Sequence, residues 1–129
     1  MKRHPGTTYD AGLLIAVDRG DRTASARHRR LIDRGIIPTV PAPVLTQAWR
    51  GGPQPELSRL LRGCAVRPTT EEDARKAGVA LARSGTSDVV DATVVIGALD
   101  RGDAVISGDP EDLHRIAAGL GRPLLVRAV

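Results

Sequence analysis

The feature that most constrains this chain is a regular exchange of two hydrophobic periods. Short β-branched or apolar runs of three to five residues alternate with helical stretches of about ten. Strands read at Thr7–Asp10, Ile36–Val40, Ala65–Arg67, Ala104–Ser107 and Leu124–Arg127. Helices read at Ala11–Asp18, from Asp21 to about Asp33, Val44–Arg50, Pro55–Arg62, from Thr70 past Arg83, Asp88–Asp100 and Pro110–Ala118. Gly35 closes the second helix, and Pro41 and Pro43 stop the second strand. Glu71, Glu72 and Asp73 in the first turn of the fifth helix, with Arg83 near its end, suit the helix dipole. Strands that alternate with helices build a parallel sheet covered on both faces, so the expected class is α/β.

One domain accounts for 129 residues with a single real core, and no linker or repeat divides residues 1–129. No apolar run reaches the length of a membrane span. Lys2, Arg3 and His4 are followed by Pro5 and Gly6 rather than by an apolar stretch, so no secretory leader is expected. The single cysteine, Cys64, excludes an internal disulfide framework and a thiolate metal cluster. A cytoplasmic home and no membrane partner are the simplest expectations.

In α/β sheets, sites form beyond the carboxyl ends of the strands. Acids recur at those places. Asp10 follows the first strand, Asp109 and then Asp112 follow the fourth, and Asp88 and Asp91 open the nearly all-apolar helix. Each acid taken alone also fits a helix cap or a first-turn position, and Asp109-Pro110 is a strong cap pattern. Taken together they read differently. Asp91 fronts a helix of Val, Ala, Ile and Leu, where an acid facing the core needs a partner. If the strands are neighbours, the carboxylates converge and require a cation between them. Oxygen-only ligands select a hard ion, magnesium or manganese, and such an ion can activate water against a phosphodiester.

Three segments resemble the PIN domain family, in the short bacterial form of the VapC toxins. They are Tyr9–Ala16, Thr86–Val95 and Val105–Leu113, in that order, and the likeness runs over essentially the whole chain. The resemblance implies a three-layer α/β/α sandwich around a short parallel sheet. It implies a magnesium- or manganese-dependent endoribonuclease, a homodimer, and a cognate antitoxin that blocks the site. Asp10, Asp91 and Asp109 match the family's metal-binding acids. Asp112 matches a further acid, and Ser107 stands where the family carries a hydroxyl. Asp88 lies one turn before Asp91 on the same helix face and is expected to join them. One position departs from the pattern: Gln47 stands where the family's second acid is a Glu. Its amide adds no negative charge, which weakens metal binding, and Asp88 is expected to restore that charge.

The charge distribution fits an RNA substrate. Residues 1–67 carry +7 and residues 68–129 carry −3, within an overall +4. All the basic residues except Lys2 and Lys76 are arginines, whose forks match phosphate geometry. Arginines cluster around the second helix, and Arg50 directly follows the Gln47 helix as the best single candidate for substrate contact. Any one of these arginines also fits a solvated helix face. With no Phe, one Trp and one Tyr, an aromatic stacking platform is disfavoured. No Ser–His or Cys–His pairing appears, and His4, His28 and His114 are scattered. A receiver domain lacks its late-strand lysine here, a dehalogenase-type phosphatase lacks the second Asp (Gly12 is there), and no P-loop appears. The remaining alternative is a degenerate PIN-like domain that binds RNA or protein without turnover.

Overall fold

A computed structural model describes residues 6–129; Lys2, Arg3 and His4 lie outside them. Five strands form one parallel sheet: β1 (Thr7–Tyr9), β2 (Thr39–Pro41), β3 (Ala65–Arg67), β4 (Ala104–Ser107) and β5 (Val126–Ala128), in the order β3-β2-β1-β4-β5. The helices are α1 (Ala11–Asp18), α2 (Arg22–Asp33), α3 (Ala42–Ala48), α4 (Pro55–Arg62), α5 (Glu71–Ser84), α6 (Val89–Arg101) and α7 (Pro110–Gly119). α1 packs with α2, α3 and α4 on one side, and α5, α6 and α7 pack together on the other. The result is the expected three-layer α/β/α sandwich.

The apolar runs explain the layers. Tyr9, Val40 and Val105 are fully buried in the three central strands. They meet Leu13 and Leu14 of α1, Val44 of α3 and Leu57 of α4, with Val94 and Val95 of α6 and Leu113 and Ile116 of α7 completing the core. Burying each such side chain is worth about 1.5–3 kcal/mol. α6 is buried without a break from Ala92 to Ile96, which accounts for its nearly all-apolar sequence.

Several boundaries move from their expected places, each for a local reason. Ile36–Pro38 is not strand. Gly35 takes a positive φ of 77° and Ile36 N–H returns to the Leu31 carbonyl, so these residues turn the chain, and Ile37 is 68% exposed. Pro43 opens α3 instead of ending β2, because proline is well suited to a first helical turn. α3 consequently starts at Ala42 and stops at Ala48, two residues before Arg50. β5 begins at Val126 rather than Leu124, and the first strand ends at Tyr9, leaving Asp10 to cap α1.

The chain visits β1, β2 and β3 outward on one side, then crosses back to place β4 on the other side of β1. The gap above the carboxyl ends of β1 and β4 is therefore the topological switch point, where open α/β sheets place their ligands.

Candidate active site

β1 and β4 run in register, with Tyr9 beside Ile106, and the Asp10 N–H continues the pairing to the Ile106 carbonyl at 3.0 Å. That pairing sets Asp10 directly beside Ser107. The Ser107 hydroxyl donates to Asp10 Oδ2 at 2.8 Å, and Asp10 Oδ1 accepts from the Ala11 N–H at 2.8 Å. Asp10 is 7% exposed and Ser107 is fully buried. Each carboxylate oxygen keeps a second lone pair, so Asp10 is held in place and can still ligate. Capping and site positions coincide at this residue.

Ser107 also binds the next acid. Its Oγ accepts from the Asp109 N–H at 2.9 Å, fixing the turn between β4 and α7. Asp109 occupies the N-cap position of α7 yet makes no side-chain cap bond, so the expected cap is absent. Its carboxylate instead meets Asp112 one turn on. The hydrogen bond they share, and the like charge beside it, hold Asp112 above the ordinary carboxylate range.

Asp88 caps α6 as expected, its Oδ1 accepting from the Asp91 N–H at 2.9 Å. Asp91 is half-buried in the first turn. Burial pushes its carboxyl up to about 7, with further lifting by Asp88, Asp10, Asp112 and Asp109 in that order. Asp91 thus senses every acid singled out in the sequence. Among the described residues no three carboxylates, imidazoles or thiolates stand close enough to hold an ion as placed. The acids lie near enough for the others to act on Asp91 through their charge, in an open arrangement. They nonetheless form an all-oxygen donor set with excess negative charge, which suits a hard divalent cation.

The close approach of α1 to the β4–α7 turn depends on glycine. A Cβ on Gly12 would sit 2.8 Å from the Gly108 nitrogen and 3.0 Å from its Cα. Gly12 therefore lets Asp10 and the Asp109 turn lie against one another.

Gln47 is half-buried on α3, which packs between α1 and α6, the two helices whose N-terminal ends carry Asp10 and Asp91. Among the described residues its side-chain amide makes no hydrogen bond. Arg50 is exposed just past the end of α3. Its guanidinium donates to the Thr46, Trp49 and Gln47 carbonyls at 3.2, 2.8 and 2.9 Å, closing the helix end. A phosphate reaching Arg50 must compete with those carbonyls. Gln54 is a positioning residue that the sequence reading missed. It is buried, accepts from the Arg50 N–H at 2.7 Å and donates to the Ala48 carbonyl at 3.0 Å and to Asp18 at 3.2 Å. No local pattern marks it, because its ties to α1 and α3 form only in the fold.

The histidines stand apart from the acids. His114 is exposed on α7. His28 shares a 2.8 Å hydrogen bond with the buried Tyr9 hydroxyl on the α2 side of the sheet, and burial lowers its pKa. Cys64 is half-buried, with burial pushing its thiol up to about 12, so it serves as a packing residue.

No protein-family model matches the chain. No curated protein matches it either. Among solved structures it is similar to a chain of VapBC2 from Rickettsia felis, in a crystal bound to a DNA fragment from their promoter, with a TM-score of 0.72. The match covers 95% of this chain and 98% of that one at 11% identity. No helix of the described residues is long and apolar enough to cross a membrane. At that identity the likeness is one of architecture, and the chain carries the VapC-like, PIN-type α/β/α fold.

Proposed function

We propose that this protein is a metal-dependent endoribonuclease and the toxin of a toxin–antitoxin pair. The observation that carries the reading is the gathering of Asp10, Asp91, Asp109 and Asp112 at the switch point of a VapC-like sheet, with Ser107 joining Asp10 to the Asp109 turn. Asp10, Asp91 and Asp109 would hold magnesium or manganese, with Asp88 and Asp112 adding negative charge and Gln47 a neutral oxygen. Such an ion supplies Lewis acidity and a water acidic enough to act as a nucleophile near neutral pH. The chain's own residues do the positioning. Ser107 fixes the Asp10 carboxylate, Asp88 fixes the first turn of α6, and Gly12 permits the two acid-bearing turns to touch. Arg50 is the candidate contact to RNA beside this site. The protein works as a homodimer, in the cytoplasm, under the control of a cognate antitoxin.

The test is cleavage of a mixed RNA pool with manganese or magnesium, compared with Asp10→Asn and Asp91→Asn. Loss of cleavage in both variants supports the reading. Cleavage that persists in both assigns it to a contaminant. Toxicity on expression, relieved by the neighbouring open reading frame, supports the toxin role.

A second reading is favoured by Gln47: a PIN-like module that binds RNA or protein without turnover. A missing carboxylate lowers the charge that draws in a cation. Absence of cleavage at every manganese concentration, with RNA binding retained, supports this reading over the first.

A further inference from the structure

On the side of the sheet opposite α6, a cleft of about 290 Å³ separates α2 from β4 and β5. Its lining includes Ala104 and Ile106 of β4, Arg27 and Arg30 of α2, Arg34 at the C-cap of α2, and Arg127 of β5. These three arginines fall at i, i+3 and i+7, two on one face of α2 and the third at its C-cap, stepped by about 4.5 and 6 Å along the helix axis. Arg127 faces them across the opening. Among the described residues none of the four forms an ion pair, whereas Arg59, Arg75, Arg101, Arg115 and Arg122 each reach a carboxylate within 4 Å. Like charges one turn apart destabilise a helix by a few tenths of a kcal/mol per pair. The free protein thus carries a row of guanidinium groups without carboxylate partners over a small cleft.

We propose that this cleft binds the phosphate backbone of single-stranded RNA; the occupant rests on the nuclease reading above, and the cleft deepens it by adding a second contact region. Four observations favour a polynucleotide. The rim is wholly arginine, whose planar fork pairs bidentately with phosphate oxygens. The α2 row is stepped, so it can follow successive phosphates of a flexible strand. Phe is absent, Tyr9 is buried and the exposed Trp49 does not line the cleft, so recognition in the cleft falls on the backbone rather than on stacked bases. A chain of main-chain contacts also links the cleft to the acids. Arg27 donates to the Ala128 carbonyl, and the next residue, Val129, pairs through its N–H with the carbonyl of Ser107, the residue that holds Asp10.

The experiment measures binding of the full chain to a short fluorescent oligouridylate in EDTA, where no metal-dependent turnover occurs. Parent, Arg30→Ala/Arg34→Ala and Arg127→Ala are compared over a range of salt. The expected result is at least tenfold weaker binding by the double variant. Its log–log salt slope should also fall by ~1.4, the share of two phosphate contacts on a single strand. Its melting temperature should stay close to the parent's, because relief of self-repulsion offsets the loss of cations at the α2 C-terminus. Parent-like affinity and slope in the double variant overturn the proposal. So does a parent that fails to bind RNA at low salt, and binding of polyglutamate in its place assigns the cleft to an acidic protein partner. Lost binding in a chain that never cleaves RNA leaves the cleft standing and removes the nuclease. Cleavage with an unchanged KM in the double variant does the reverse.

Discussion

Ser107 ends β4 and Asp10 directly follows the neighbouring β1, 97 residues apart in sequence, and the serine hydroxyl donates to the aspartate Oδ2 at 2.8 Å inside the protein. The serine Oγ in turn accepts from the Asp109 N–H, so one hydroxyl sets two acids at once.

Ser107→Ala should therefore cost stability as well as activity. Removing the hydroxyl strands a buried carboxylate oxygen and a backbone N–H, a loss of about 1–3 kcal/mol. Urea denaturation should show the midpoint falling with an unchanged slope. Ser107→Thr, which keeps the hydroxyl, should recover most of the metal-dependent cleavage that Ser107→Ala loses.

Asp88 and Gln47 form a charge-balance test. Asp88→Ala removes the α6 cap at a cost of about 1 kcal/mol. Asp88→Asn keeps a capping oxygen and removes only the charge. If Asp88 compensates for Gln47, calorimetry should find weaker manganese binding in Asp88→Asn and tighter binding in Gln47→Glu. Equal affinity in Asp88→Asn and the parent reduces Asp88 to a cap.

Gly12→Ala should be more damaging than an ordinary helix substitution, although alanine is the better helix former. Its Cβ would meet the Gly108 backbone at 2.8 Å, and backbone cannot swing aside as a flexible side chain can. Overpacking of this kind costs about 1–3 kcal/mol. A thermal melt should show the loss, while Gly20→Ala, with open space but a positive φ of 83°, reports the backbone cost alone.

His28 gives a pH dependence to folding. Burial lowers its pKa below the ordinary 6.5 in the folded protein, so the unfolded chain takes up a proton first. The stability it contributes is fully present above the unfolded value. It declines as pH falls through 6.5 toward the lower folded pKa. Asp91, whose raised carboxyl acts in the opposite sense between pH 8 and pH 5, is present in parent and variant alike, so the gap between the denaturant midpoints of the parent and of His28→Gln should change steadily across that window.

Much of the fold was legible because its signals are local. The start of α5 at Thr70 with acids in its first turn, the Asp21 and Asp88 caps and the buried run of α6 are written in adjacent residues. Asp10, Ser107 and Asp109 were legible as strand-end residues, and the pairing of β1 with β4 joins them. Other features depend on contacts that no window reveals. Ile36 and Ile37 have strand-like side chains, yet the Gly35 turn keeps them out of the sheet. Arg50 looked like a free cation, and the end of α3 engages its guanidinium. Gln54 acquires its partners only when α1, α3 and α4 meet.

The missing side-chain cap at α7 has a consequence for how the crevice adapts. Asp10 is a fixed jaw, clamped by a hydroxyl and an N–H below the surface. Asp109 is anchored only through its main chain, and its exposed carboxylate is shared with Asp112 rather than locked to the helix. It is the adjustable jaw. Closing the open arrangement around a guest then calls for side-chain rotation on the α7 side, while the β1 side supplies the rigid reference against which that guest is measured.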